Sequence, residues 1–220
     1  MKSILLFCLS LPIFSFAQTE NAVVNQPKHE VGVNLFSINN LGNRPYEKNG
    51  LVDFGFGNGV FYKYHMGKNA WRASFSYFQN TININNGFDW WYFKSTGTKK
   101  SGETKVGFEH NFCSGKFSPY VFSDLTFTYS KYKGEAEGSG DIVAYEKYAF
   151  NIEAFEYGIS GGVGAKYQIT KNIVVSLETS INGFYSVSED LLNAHYYSHK
   201  QKEYNYRYNP LNRLGLAIAF

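Results

Sequence analysis

Cysteine is nearly missing from this chain of 220 residues, which contains only Cys8 and Cys113. Long apolar runs are missing as well, since none approaches the roughly 20 residues of a transmembrane helix. The formal net charge of +3 is slight, and it favours neither nucleic acid nor an acidic surface as a partner. These absences exclude a disulfide scaffold and a helical membrane protein.

The first 17 residues have the features of a cleaved signal peptide. Lys2 supplies a positive charge, residues 4–14 are apolar, and residues 15–17 (SFA) form a small-x-small cleavage site. A lipoprotein signal ending at Cys8 is the alternative, but bulky Phe7 and the apolar run beyond Cys8 argue against it. Removal of this segment would leave Cys113 as the single cysteine of an exported protein, without an intramolecular disulfide.

Aromatic residues are abundant, at 19%, and many lie in segments that alternate between apolar and polar or small residues. The final stretch, 211–220 (LNRLGLAIAF), is the clearest case. One face carries Leu214, Leu216, Ile218 and Phe220, and the other carries Arg213, Gly215, Ala217 and Ala219. Lipid-facing and lumen-facing positions of a membrane β-barrel alternate in this way, with aromatic girdles at both interfaces.

Eight segments show this alternation. They are 29–37, 57–66, 70–79, 103–112, 119–130, 154–168, 172–183 and 207–220. Connections between them alternate in length, with short turns at 66–69, 113–118 and 169–171 and long loops at 38–56, 80–102, 131–153 and 184–206. The pattern predicts an all-β fold, an eight-stranded antiparallel up-and-down transmembrane β-barrel with short periplasmic turns and long extracellular loops. Additional strands at 90–96 and 142–148 would instead make ten.

The domain prediction follows from these segments. We expect a signal peptide at 1–17, a short periplasmic leader at 18–28 and an outer-membrane β-barrel at 29–220. Aromatic residues near the predicted strand ends are expected to form the two girdles. The periplasmic set is Trp71, Tyr120, Tyr167 and Phe220, and the outer set is Tyr77, Tyr129, Tyr157 and Tyr208.

Several of these stretches resemble the small outer-membrane β-barrel proteins of Gram-negative bacteria, the OmpA/OmpX-like family. The resemblance is carried by a signal ending in Ala-Gln, by 118–130 (SPYVFSDLTFTYS), by the hairpin 158–178 and by the phenylalanine that ends the last strand. It covers essentially all of 29–220 and implies an outer-membrane location. It also implies that Phe220 is an assembly signal read by the barrel-assembly machinery.

Charged residues are predicted on the lumen side of several strands. They are Lys63, Arg72, Glu109, Asp124, Glu178 and Arg213. Because an eight-stranded barrel is just wide enough to be filled by side chains, and because buried charges must pair, we expect a lumen ion-pair network that plugs the barrel. The alternative is a gate that opens when Arg213 changes partners.

The long loops are predicted to carry a candidate interaction surface of aromatic and basic residues, a combination typical of binding hot spots. Its members are Trp90, Trp91, Tyr92, Tyr196, Tyr197, Lys200 and Arg207. The alternative is that some of these aromatic residues belong to the girdle. His195 and His199 are four residues apart, but no further ligand accompanies them, so they do not predict a metal site.

No arrangement of nucleophile, base and acid is recognisable, so we expect a protein that is not an enzyme and has no cofactor or metal. The predicted function is a non-enzymatic outer-membrane barrel that displays surface loops for envelope integrity or adhesion. A small porin-like channel and a soluble lipocalin-like lipid-binding barrel are the alternatives. The expected partners are outer-membrane lipid and lipopolysaccharide, the assembly machinery and an unidentified extracellular ligand, and we expect a monomer that binds no nucleic acid.

Overall fold

The computed structural model describes residues 28–40, 52–88, 91–140, 143–192 and 197–220, which form eight β-strands. The strands are β1 (His29–Asn40), β2 (Val52–Met66), β3 (Asn69–Phe88), β4 (Trp91–Asn111), β5 (Phe117–Gly140), β6 (Val143–Gln168), β7 (Ile173–Leu192) and β8 (Tyr197–Ala219). Within these ranges, no helix is long and apolar enough to cross a membrane.

Each strand pairs with its neighbours along the chain, and β8 pairs with β1 to close the ring. All of these pairings are antiparallel, and β1 meets β8 from Glu30↔Ala219 to Ile38↔Leu211. Closure leaves no free edge in this part of the sheet, which stabilises the fold without a disulfide. The predicted all-β, eight-stranded, up-and-down barrel is therefore confirmed.

The two faces of the wall have opposite chemistry, as the alternation of the strands predicts. Large apolar side chains point outward around the whole ring, among them Val60, Phe75, Leu125, Ile159 and Leu177, which are 50–68% exposed. Buried side chains are mostly polar or charged, and Phe61, Val174, Ala217 and Ala219 form a small apolar cluster among them. The soluble lipocalin-like alternative is wrong, because it requires an apolar lining inside the barrel.

The strands are longer at one end than the alternation predicts. Three of the predicted long loops, 80–102, 131–153 and 184–206, consist largely of strand: β3 and β4 pair up to Phe88↔Trp91, and β5 and β6 up to Gly140↔Val143. These stretches are rich in Asn, Gly, Ser, Thr and charged residues, so they lack the continuous apolar face that identifies the lower strands. The predicted short turns at 66–69, 113–118 and 169–171 lie at the opposite end.

The ten-strand alternative is wrong for the same reason. The described part of 90–96 is the start of β4, and the described part of 142–148 is the start of β6, so neither is a separate strand. The predicted signal peptide, and the leader except for Lys28, lie outside the described residues.

Most of the residues predicted to form the girdles point outward, and one does not. Trp71, Tyr167 and Phe220 are 53–63% exposed near the short-turn end. Tyr120, however, is only 1% exposed and points into the barrel. Its position in the alternation of β5, one residue before outward Val121, requires this orientation.

Candidate functional site: the charged barrel interior

All six charged residues predicted on the lumen side point inward and are at most 5% exposed. They come from six strands: Lys63 from β2, Arg72 from β3, Glu109 from β4, Asp124 from β5, Glu178 from β7 and Arg213 from β8. The closed ring brings these side chains together, because inward positions of every strand converge on the barrel axis. We call the group they form, with the neighbours described next, the interior cluster.

Glu178 is the centre of the interior cluster. Arg72 donates to both of its oxygens, from Nη1 to Oε1 at 3.1 Å and from Nη2 to Oε2 at 2.9 Å. Arg213 is also hydrogen-bonded to Oε1. The Tyr120 hydroxyl donates to Oε1 at 2.6 Å, and the Asn212 amide donates to Oε2 at 3.2 Å. A carboxylate with this many donors compensates for the loss of its hydration.

Glu109 forms a second focus towards the short turns. Lys63 Nζ donates to Glu109 Oε2 at 2.7 Å, and Lys166 is ion-paired with the other oxygen. Glu30 lies within 3.8 Å of Lys63 and 3.9 Å of Lys166, and its Oε2 is 3.1 Å from Nε2 of His65. Arg72 joins the two foci, because it reaches Glu109 at 3.5 Å as well as Glu178.

The charges of the interior cluster balance. Its ion pairs join four carboxylates to four cations: Glu30, Glu109, Asp124 and Glu178 with Lys63, Arg72, Lys166 and Arg213. Asp124 takes part through Arg72 Nε, which lies 3.0 Å from its Oδ1. A neutral network of this kind minimises the desolvation penalty that unpaired charges would incur.

Aromatic rings line the same level of the interior. The guanidinium of Arg72 lies 4.1 Å from the centre of the Phe122 ring, and that of Arg213 lies 4.0 Å from the centre of the Phe61 ring. Lys63 lies 4.8 Å from the centre of the Tyr120 ring. These contacts add cation–π attraction to the ion pairs and fill the space between the charges.

Two glycines of β6 make room for the aromatic rings. A Cβ at Gly162 would lie 2.5 Å from the Phe122 ring, and one at Gly164 would lie 2.5 Å from the Tyr120 ring. Gly161 points outward, and a Cβ there would meet nothing within 4 Å. Packing of rings against a curved strand thus explains Gly162 and Gly164, whereas nothing packs against Gly161.

Further ion pairs lie above the interior cluster, towards the long-strand end. Arg207 Nη2 lies 2.9 Å and 3.0 Å from the two carboxylate oxygens of Glu156, and its guanidinium lies 4.2 Å from the centre of the Phe184 ring. Lys105 pairs with Glu103 at 2.9 Å and donates to Asn212 at 3.1 Å. The assignment of Arg207 to the outer interaction surface is therefore wrong, since its side chain points into the barrel.

Glu30, Lys166 and Tyr120 also belong to the network, although they are absent from the lumen residues predicted above. A signal for each was present, because all three occupy inward positions of alternating strands: Glu30 precedes outward Val31, and Lys166 precedes outward Tyr167. The alternation shows that these side chains face inward, but it does not show which charged residues of other strands they contact.

The rest of the candidate interaction surface is described only in part. Trp90 and Tyr196 lie outside the described residues. Trp91, Tyr92, Tyr197 and Lys200 belong to β4 and β8, but their side chains, like that of His199, are outside the description. The outer face of β8 carries Tyr204 and Tyr206, each 81% exposed. Rings of Tyr157, Tyr185 and Tyr204 follow one another across β6, β7 and β8, with centroids 5.3 Å and 5.0 Å apart.

In the barrel interior, the carboxylates and the cations of the interior cluster neutralise one another. The carboxylates of the interior cluster are engaged by cations, which leaves them poorly suited to general acid–base chemistry. Among the described residues, no three of the His, Cys, Asp and Glu side chains are grouped so as to hold a metal ion. Fold and interior together define an eight-stranded β-barrel with an apolar exterior and an ion-paired interior.

No family model matches this chain, and no curated protein matches it. Solved structures do resemble it. Ail, the attachment invasion locus protein of Yersinia pestis, is 13% identical, covers 87% of this chain and 96% of its own, and gives a TM-score of 0.39. Ail in complex with the heparin analogue sucrose octasulfate is 12% identical, with 89% and 99% covered and a TM-score of 0.41.

Neisserial surface protein A (NspA) is a further similar structure. It is 12% identical, covers 88% of this chain and 97% of its own, and gives a TM-score of 0.39. The strand pairing of this chain itself establishes the closed eight-stranded barrel.

Proposed function

We propose that this protein is a non-enzymatic β-barrel of the Gram-negative outer membrane, exported through a cleaved signal peptide. One observation carries the proposal: the described wall is apolar outside and charged inside, which is the arrangement required of a strand that separates lipid from a lumen. Exposed aromatic residues follow both ends of the apolar band, with Trp71, Tyr167 and Phe220 at one end and Tyr77 and Tyr157 at the other. Interfacial girdles have this composition.

The interior cluster is proposed to act as a plug. Its side chains cross the lumen from β2, β3 and β4 to β7 and β8, and most of their polar atoms are bound to one another. Aromatic rings occupy the space between the charges. We expect an eight-stranded barrel filled in this manner not to conduct ions, and this expectation argues against the small-channel alternative.

The proposed role of the barrel is to hold a surface structure in place. The long ends of β3–β8 would project beyond the outer leaflet as a sheet, carrying exposed tyrosines such as Tyr204 and Tyr206. A rigid scaffold that presents binding residues on its projecting ends suits adhesion or envelope integrity. Outer-membrane lipid, lipopolysaccharide and the barrel-assembly machinery are the proposed partners.

The position of Phe220 supports its proposed role as an assembly signal. It is 63% exposed, its ring stacks on His29 with centroids 5.6 Å apart, and its backbone exchanges two 2.9 Å hydrogen bonds with His29 where β8 meets β1. A receptor could therefore reach this side chain at the seam of the barrel.

The test uses protein from the outer-membrane fraction, compared on SDS gels with and without boiling. A faster unboiled band is expected, because a closed barrel resists the detergent. In planar bilayers the same protein should give no ion conductance. A soluble periplasmic protein without a gel shift would contradict the membrane location, and steady conductance would favour the channel.

A further inference from the structure

Three lysines lie together on the outer face of the barrel, just above the apolar band. They are Lys100 on β4 and Lys131 and Lys133 on β5. Below them on β5, the outward residues Leu125 and Phe127 are 68% and 48% exposed and apolar. Tyr129, the last aromatic residue of this series, directly precedes the lysines at the outward positions. The lysines therefore begin where the upper girdle ends.

Strand pairing concentrates their charge. Lys100 and Lys131 are directly opposite one another in the β4–β5 register, and Lys133 is opposite Thr98. Directly opposed side chains have Cβ atoms about 4.5–5.5 Å apart, and diagonal neighbours are about 7–8 Å apart. Like charges at such positions are destabilising unless an anion compensates them.

Only one of the three lysines has a carboxylate partner in the described part of the chain. Lys131 is ion-paired with Glu153, which also accepts a 3.2 Å hydrogen bond from the Tyr129 hydroxyl. The hydrogen bond to Glu153 raises the pKa of Lys131, so its charge is retained. Lys100 and Lys133 are exposed, and no described carboxylate pairs with either.

We propose that Lys100, Lys131 and Lys133 form a binding site for the phosphate group of an outer-leaflet lipid headgroup. This inference rests on the proposed outer-membrane location and names the residues that contact the lipid. Ammonium groups are suitable phosphate ligands, and lysines beside an anionic membrane surface attract its headgroups. We assign a lipid, and not a soluble anion, as the ligand. The residues immediately below the lysines, Phe127 and Tyr129, are of the kind that contacts acyl chains and the membrane interface.

Lys94 provides a matched control. It is on the same strand and the same outward face as Lys100, it is exposed, and it lies 3.8 Å from Glu137. It is six residues nearer the tip of β4, which places it about 20 Å farther along the strand. A phosphate at the headgroup level is out of its reach.

The experiment measures lipid binding by native mass spectrometry of the folded, detergent-solubilised full chain. The probes are phosphorylated lipid A, the same lipid without phosphates, and soluble polyphosphate. We expect wild-type protein to prefer phosphorylated lipid A, and the double variant Lys100→Ala/Lys133→Ala to bind it about 30-fold more weakly, since each lysine contributes roughly fivefold near an anionic surface. Lys94→Ala should bind like the wild type.

Equal binding of the two lipids, or wild-type affinity of the double variant, overturns the proposal. Polyphosphate bound as tightly as phosphorylated lipid A also overturns it, in favour of a soluble polyanion. The gel shift on boiling, measured on the same variants, separates this result from the proposed function. A retained shift with lost lipid binding supports the lysine site, whereas a wild-type protein without the shift contradicts the membrane barrel itself.

Discussion

The inner and outer faces of the same strands use lysine in opposite ways. Inside the barrel, Lys63 is completely buried and lies 2.7 Å from Glu109, with further carboxylates within 4 Å. Outside, Lys100 and Lys133 are exposed and have no described carboxylate partner, although Lys131 lies directly opposite Lys100. Burial requires a partner for each charge, and exposure to water or a headgroup does not.

This difference indicates what each face can do. The interior cluster is neutral, and its charged groups are hydrogen-bonded to one another across the strands. These charges therefore stabilise the barrel and are not available to a ligand. Outside, Lys100 and Lys133 keep their charge available for a ligand, whereas Lys131 is ion-paired with Glu153. Four sets of variants test this contrast, in order of decreasing expected effect.

The largest effect is expected from Glu178→Ala, which removes the centre of the interior cluster. Arg72 and Arg213 would be left as buried charges without their main partner, and breaking a buried pair in this way costs about 3–5 kcal/mol of stability. Urea unfolding of the barrel in detergent micelles measures the loss. The control is Glu189→Ala on the outer face of the same strand, which should change the unfolding midpoint little; equal effects would contradict the interior assignment.

The second test places a charge on the other face of β7, one residue away. Leu177 is 51% exposed on the outer face, and Leu177→Arg should cost about 2–4 kcal/mol if this position faces the middle of the bilayer. Folding efficiency into lipid vesicles is the measurement. Ile218→Lys near the short-turn end should cost less, whereas Ala219→Ser, which faces inward, should be tolerated. Normal insertion of Leu177→Arg would refute the outward facing of this residue.

The third test compares two glycines of β6 that lie three residues apart and face opposite sides of the wall. Gly164→Val should displace the Tyr120 ring from Glu178 and cost about 1–3 kcal/mol, as overpacking of a filled interior does. Gly161→Val adds the same side chain on the open outer face and should leave stability almost unchanged. Unfolding midpoints of the two variants, measured side by side, decide whether the interior is filled at this level.

The smallest effect concerns the exposed pair of Lys131 and Glu153. The hydrogen bond from Lys131 lowers the pKa of Glu153 in the folded barrel. The pair therefore stabilises the fold above the unfolded-state pKa of the carboxyl group, and this contribution is lost as the pH falls through the folded-state pKa. Lys131→Met should raise the pKa of Glu153 towards its ordinary value, as followed by carbon NMR; an unchanged titration would mean that the pair does not form in solution.

Sequence patterns predicted the lower half of the barrel well and its upper half poorly. Below the upper girdle, one face of each strand is apolar, so alternation reveals both the strand and its facing, as for Leu177 and Glu178. Above it, Asn, Gly, Ser, Thr and charged residues are frequent, as in the Thr81↔Thr98 pair of β3 and β4, and the stretches resemble loops. Tyr120 shows a related difficulty, because a tyrosine near a strand end suits a girdle and an ion-paired interior equally well by residue type.

The sequence by itself determined the side on which the six lumen charges lie and the positions of the short turns, because these follow from a period of two and from turn residues. It left eight and ten strands open, and the strand pairing decided for eight. Only the tertiary structure decided which charges meet. Arg72 and Glu178 are 106 residues apart in the chain, and their contact depends on the register of every strand pair between them and on closure of the ring. That register depends on the whole barrel and is not determined by the sequence of any single strand.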